Sequence, residues 1–381
     1  MVALGISSIV FETHATGLSL LNSAKCYRPL GREVGHDIDR EGLVLMMAHG
    51  TGYHKEHWEP TIQYLFDLDL ESKTTYGIRE CWAIDVQNHG EAAVLNEQVT
   101  RETPEAWSIW DYADAFATLR RDILGSNLSY RDNKFVLIAH SASATGVILT
   151  TTFFPLPSLS STFHSLILIE PAIAPNPSFI DPANHTPLYR QVTKMMASRK
   201  DTWASKDEAR EWMKNRVPWG MWDERVLDLY VEFGLGTRKD GKGEVTLRCA
   251  KQTETLAYER GIRQSLPGLW QLNLLCNANA HVGDEAGMGK NTDTPKTIVG
   301  QPALPIHIVW GDIDDLFSRE VKDALEDAEQ GRVFTSVRRV EDAGHMVGLE
   351  IARTSILLTW YLDGADISGS YCASVVEYTR G

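Results

Sequence analysis

The sequence predicts an α/β protein with a mostly parallel central sheet, and three observations carry that prediction. Short continuous apolar runs end in small or polar residues at five places, stretches of helical spacing lie between them, and one long tryptophan-rich region interrupts the alternation. Parallel strands are covered on both faces, so they read as unbroken apolar runs. Strands alternating with helices in turn imply an α/β architecture.

The first run is LVLMMAHGTG (residues 43–52) and the second is CWAIDVQNHG (81–90). TPEAWSIWDYADAFATLRRDIL (103–124) follows and predicts a helix with Thr103 as N-cap and Pro104 at its first position. Ala106, Trp110, Ala113, Ala117 and Leu119 recur in it at helical spacing. The third and fourth runs are KFVLIAHSAS (134–143) and SLILIEP (165–171), and the fifth is PIHIVWGD (305–312). REVKDALEDAEQG (319–331) predicts a helix stopped by glycine, and SVRRVEDAGH (336–345) a weaker strand at a sheet edge.

Between residues 172 and 299 no strong buried strand is evident. This region holds Trp203, Trp212, Trp219, Trp222 and Trp270, five of the chain's 11 tryptophans, together with charged helical stretches and a hairpin-like RKDGKGEV. It predicts a mainly helical cap over residues 172–299, inserted after the sixth strand into a core formed by 1–171 and 300–381.

Composition narrows the function. The chain has 381 residues, 43% hydrophobic and 23% charged, with a formal net charge of −14. Such an acidic surface repels nucleic-acid phosphates and anionic membranes. Five scattered cysteines without CxxC spacing argue against a disulfide framework or a zinc site. The N-terminal MVALGISSIVFETHATG lacks the basic start of a signal peptide, no apolar run is long enough to span a membrane, and the terminal VEYTRG is not a peroxisomal tripeptide. The expectation is an intracellular, cytoplasmic protein. No HExxH, P-loop or GxGxxG appears, so no metal or nucleotide cofactor is expected. The expected partner is a small apolar substrate, and a homodimer is compatible with the sequence.

The chemistry concentrates at strand ends, where open α/β sheets place their sites. AHSAS puts Ser141 at a sharp strand-to-helix junction, the position of the nucleophile in a G-x-S-x-G elbow, although Ala139 and Ser143 stand where that motif has glycines. AHGTG supplies backbone N–H groups at Gly50 and Thr51 which, with that of Ala142, form a candidate oxyanion hole. A serine hydroxyl needs a base to take its proton. His345 in EDAGHM is the candidate, because Ser, acid, His is the chain order of this arrangement. The acid is open between Asp314 in VWGDIDDLF, slightly favoured, and Glu170 in LILIEPAI. Tyr53 and His54 lie beside the oxyanion segment as candidate substrate contacts, whereas Glu56, Trp58, His89 and His140 read as structural.

The series HGTG, DVQNHG, AHSAS, IEP, GDID and AGHM resembles the α/β-hydrolase superfamily over the whole chain except the cap region. YRPLG, HGTGYHKEHWEP, IDVQNHGEAAVLN and LILIEPAI look like fungal secondary-metabolism hydrolases of host-selective toxin pathways and related peroxisomal lipases. That resemblance implies a triad of Ser141, His345 and either Asp314 or Glu170, with an oxyanion loop at Gly50 and Thr51. The leading expectation is a serine hydrolase of an ester, lactone or thioester, and the aromatic cap region points to an apolar or aromatic, polyketide-like substrate. The competing expectations are C–C bond cleavage, condensation or cyclisation in the same pocket, and a catalytically silent binding protein. Activity that survives Ser141→Ala would favour C–C chemistry; absence of both labelling and turnover would favour binding.

Overall fold

The computed structural model describes residues 1–31, 41–71, 76–103, 107–181, 187–239, 242–280 and 304–346. The chain opens with β1 (Leu4–Thr13) and β2 (Leu20–Pro29), then β3 (Glu41–Ala48), α1 (Glu59–Glu71) and β4 (Tyr76–Ile84). Three helices follow, α2 (Gly90–Leu95), α3 (Glu97–Glu102) and α4 (Ile109–Thr118). Next come β5 (Lys134–His140), α5 (Ser143–Thr150), α6 (Leu159–Thr162) and β6 (Ser165–Ile169). Residues after β6 form α7 (Pro187–Ser198), β7 (Thr202–Trp203), α8 (Lys206–Lys214), α9 (Glu224–Gly234), β8 (Leu235–Thr237), β9 (Val245–Leu247) and the long α10 (Lys251–Ala280). The last described elements are β10 (Ile306–Gly311), α11 (Arg319–Glu326) and β11 (Ser336–Val340).

Eight strands form one sheet in the order β1-β2-β4-β3-β5-β6-β10-β11. β1 and β2 join it antiparallel, and the neighbours from β4 through β11 run parallel. The β5 run explains its own burial. Phe135, Leu137 and Ala139 enter one apolar core with Tyr112, Phe116 and Leu269, while Val136 and Ile138 enter the other with Trp58, Ile62 and Phe66. Successive strand side chains point to opposite faces, so a strand covered on both sides has no polar face to show.

The described residues between β6 and β10 are chiefly helical, but they also contain a three-stranded antiparallel sheet in the order β7-β9-β8. Its strands are two or three residues long, too short for an apolar run to reveal. Trp203, Trp219 and Trp222 bury in a core of their own with Met213, Leu227 and Tyr230. Residues 281–299 of the expected cap lie outside the described residues.

Three local expectations differ from the structure. Thr103 caps the end of α3 rather than starting a helix, and Pro104 lies outside the described residues. α4 begins at Ile109 because Ser108 and Asp111 form a reciprocal capping box, with the Ser108 Oγ accepting from Trp110 N and the Asp111 carboxylate from Ser108 N at 2.9 Å. α11 stops at Glu326, and Gly331 closes the following turn in the left-handed region. β1 and β2 are strands that the apolar-run criterion misses, since β1 is an edge strand with Ile6 and Val10 exposed.

Candidate active site

The register of the parallel strands decides what stands next to what. His140 at the end of β5 is paired with Ile169 at the end of β6, so the following residues, Ser141 and Glu170, emerge side by side. Both adopt positive φ, 58° at Ser141 and 45° at Glu170. This region disfavours residues with a Cβ, and such strain persists only where surrounding bonds hold it. Here the Ser141 amide donates to Ile169 O at 2.9 Å, and Ser141 O accepts from Ala144 N and Ala172 N, each at 3.1 Å.

Ser143 shows how the junction tolerates a side chain where the elbow motif has glycine. Its hydroxyl donates to the backbone carbonyl of His49, tying α5 to the segment after β3. Ala139 is fully buried, in register with Ala48 on one side and Leu168 on the other.

The Ser141 hydroxyl lies 2.9 Å from His345 Nε2, and His345 Nδ1 lies 3.1 Å from Glu170 Oε2. Glu170 is entirely buried, and its other oxygen accepts from Gly311 N at 2.6 Å and from Lys322 Nζ at 3.2 Å. Asp314, the slightly favoured carboxylate in the sequence, does not reach the imidazole. It pairs with Lys322 at 3.3 Å and Arg319 at 3.5 Å, with 30% of its side chain exposed. The structure thus brings Ser141, His345 and Glu170 together and leaves Asp314 outside. Its neighbour Asp315 holds the histidine's backbone, accepting from His345 N at 2.8 Å.

Gly50, Thr51 and Ala142 lie around the same junction. The backbone N–H groups of Thr51 and Ala142 have no partner among the described residues, and both residues line one cavity of about 30 Å³. Ser141 and His345 are not among the residues lining that cavity, whereas Ala142 and Ser143, which follow the serine, are. Unpaired N–H groups at Thr51 and Ala142 are of the kind that suits a developing oxyanion. Gly50 packs on His140, where an added Cβ would lie 2.7 Å from Nδ1. Gly52 has φ of 85°, and its amide donates to His89 Nε2 at 2.9 Å. His89 thus bonds the loop and also lines the cavity.

Val86, Trp107, Ile109, Ala172 and Ala257 make most of the cavity wall apolar. Thr145 also lines it, and its buried hydroxyl has no hydrogen-bond partner among the described residues. Tyr53 is not on this wall. Its hydroxyl donates to Met346 Sδ at 3.2 Å, and its ring packs edge-on against Trp222 and His57. His54 is likewise buried, its Nδ1 2.9 Å from Glu56 and its ring stacked on His57.

Several site residues escape the sequence reading. His140 is more than packing: its Nε2 donates to the His345 carbonyl at 2.9 Å. Burial, reinforced by the nearby His345, pushes His140 down to about 4, so it is neutral near pH 7. Asp85 accepts from Lys55 N and Nζ, both at 2.8 Å, and from Glu91 N at 2.9 Å, fastening the segment after β3 to that after β4. Burial drives the Asp85 carboxyl upward and Lys55 opposes it. Lys322 carries one sequence signal, since it lies three residues from Leu325 and shares its buried face. Among the described residues no group of His, Cys, Asp or Glu could hold a metal ion, and no helix is long and apolar enough to cross a membrane.

Against this geometry the comparisons are informative. A family model described as "Alpha/beta hydrolase family" matches residues 44–353. The peroxisomal alpha-beta-hydrolase Lpx1 of Saccharomyces cerevisiae is 16% identical and superposes with a TM-score of 0.68, covering 99% of this chain and 93% of that one. E-2-(acetamidomethylene)succinate hydrolase is 14% identical, with a TM-score of 0.56 over 94% of this chain and 100% of that one. The thioesterase domain from the curacin biosynthetic pathway is 13% identical, with a TM-score of 0.55 over 94% of this chain and 99% of that one. At these identities the likeness is one of fold. No curated protein matches the sequence.

Proposed function

This chain belongs to the alpha/beta hydrolase family, and from that premise we propose that it is a serine hydrolase acting through Ser141, His345 and Glu170. The observation that carries this reading is the unbroken relay of 2.9 Å from Ser141 Oγ to His345 Nε2 and 3.1 Å from His345 Nδ1 to Glu170. In the first step Ser141 Oγ bonds to the substrate carbonyl carbon while its proton passes to His345 Nε2. The oxyanion that forms is met by the N–H groups of Thr51 and Ala142. Collapse breaks the bond to the leaving group, which takes the proton from His345. Water then attacks the acyl-enzyme by the same route, releasing the acid and restoring Ser141. Glu170 orients the imidazole and balances its transient charge.

The substrate class is an ester, lactone or thioester with an apolar, polyketide-like body. Its support is the apolar cavity wall, together with the sequence resemblance to secondary-metabolism hydrolases. A cavity of about 30 Å³ holds only a water or two. Ala257, Gly261 and Gln264 of α10 form one side of it.

The test is labelling with a fluorophosphonate, read by peptide mass spectrometry. Labelling at Ser141 that disappears in His345→Ala is the expected result. Folded wild-type protein that resists the probe would overturn the covalent mechanism, and turnover surviving Ser141→Ala would redirect the search to C–C bond chemistry in the same pocket.

A further inference from the structure

Lys322 is a fully buried cation that the relay from serine to acid does not use. It reaches from α11 to the far side of the triad carboxylate. Its Nζ lies 3.2 Å from Glu170 Oε1, 2.9 Å from Gly311 O and 3.3 Å from Asp314 Oδ1. Glu170 thus divides its two oxygens, one toward Lys322 and Gly311 N, the other toward His345. We propose that Lys322 is a positioning residue whose charge balances Glu170, leaving His345 free of that task and available as the base. This inference rests on the serine-hydrolase reading.

The argument is one of charge in a dry site. A buried carboxylate requires a compensating charge or a proton. With Lys322 present, the compensation comes from α11. The other charged groups close by are already committed: Asp314 is shared between Lys322 and Arg319, and Asp315 accepts from the His345 backbone. Among the described residues, the rings packed on the imidazole, those of His140 and Phe317, bring no charge near pH 7. If Lys322 were neutral, either Glu170 would bind a proton or His345 would carry one in the resting enzyme. The first removes the partner of the imidazolium, and the second occupies the nitrogen that must accept the Ser141 proton. Both states are favoured as pH falls.

The experiment measures the rate of Ser141 modification by a fluorophosphonate between about pH 5 and about pH 9 in wild type, Lys322→Met and Lys322→Arg. In this reaction the Ser141 Oγ–P bond forms as P–F breaks, fluoride leaves, and the hydroxyl proton passes to His345. Lys322→Met is expected to move the acid limb of the profile upward by about one to three pH units, with most of the rate regained at the alkaline end. Lys322→Arg, which keeps the charge, is expected to hold the limb near that of wild type.

A uniform loss at every pH, or an unmoved limb in folded Lys322→Met, would overturn the proposal. Should that variant fail to fold, the double variant Glu170→Gln/Lys322→Met buries no lone charge and replaces it. Its profile is expected to match that of Glu170→Gln alone, and a separate shift would show that Lys322 does not act through Glu170. Failure to label the wild type at all would instead strike the hydrolase reading itself.

Discussion

Glu170, just past the end of β6, and Asp314, beyond the end of β10, are neighbouring carboxylates in very different settings. Glu170 is buried, held at positive φ, bonded by the Gly311 amide and aimed at His345. Asp314 is partly exposed and faces the cations Lys322 and Arg319. The two meet through Lys322, which touches both. The contrast teaches that a carboxylate serves an imidazole by being immobile and dry. Nearness in chain order to the histidine counts for less, and water weakens whatever an exposed partner can offer.

The largest expected effect separates the two directly. On an ester that the enzyme turns over, Glu170→Gln should lower kcat/KM by about 10³- to 10⁴-fold, whereas Asp314→Asn should lower it by less than about tenfold. Equal losses, or a larger loss at Asp314, would reverse the assignment. Next in size is the stability of the buried pair. Lys322→Met leaves Glu170 without its cation and should cost about 3–5 kcal/mol in urea unfolding, while the half-exposed Arg319→Met should cost no more than about 1 kcal/mol.

Gly311 joins the two settings, since its amide bonds Glu170 and its Cα faces the carbonyls of Ala343 and Gly344. Gly311→Ala would displace the turn that carries His345. A loss of about 1–3 kcal/mol is expected from overpacking, with slower fluorophosphonate labelling alongside. Unchanged labelling would mean that the turn yields without moving the histidine.

Acid stability supplies a control, so that folding is not mistaken for chemistry. Burial pushes His140 and His307 down to about 4 and His89 to about 3, from an ordinary value of 6.5. The unfolded chain binds these protons near pH 6.5 and the folded chain does not, so stability should fall as pH drops from about 6.5 toward 4. His307 lies on β10, where its Nδ1 bonds Ser336 Oγ at 2.8 Å. His307→Gln should flatten the stability slope without moving the acid limb of labelling. The smallest effect is expected at Thr145→Val. Removing a buried hydroxyl that has no partner among the described residues should leave stability within about 1 kcal/mol of wild type. A larger loss would reveal a bonded partner for that hydroxyl.

How far the sequence alone reached is clearest at particular residues. Unbroken apolar runs such as KFVLIA report burial on both faces whatever surrounds them, so five core strands and the α/β class were legible. The order of Ser141, a strand-end carboxylate and His345 was legible too, because chain order survives without coordinates. Tertiary structure decided the rest. The pairing of His140 with Ile169 set Glu170 beside Ser141, and no local pattern encodes the register between two distant strands. Positive φ at Ser141 and Glu170 is imposed by bonds from other segments. The spacing of Lys322 and Leu325 puts the lysine on the apolar face of its helix, but only packing brings its charge to Glu170. Propensity and periodicity are properties of a segment, whereas a charge balance belongs to all the chains of contact that meet at one buried point.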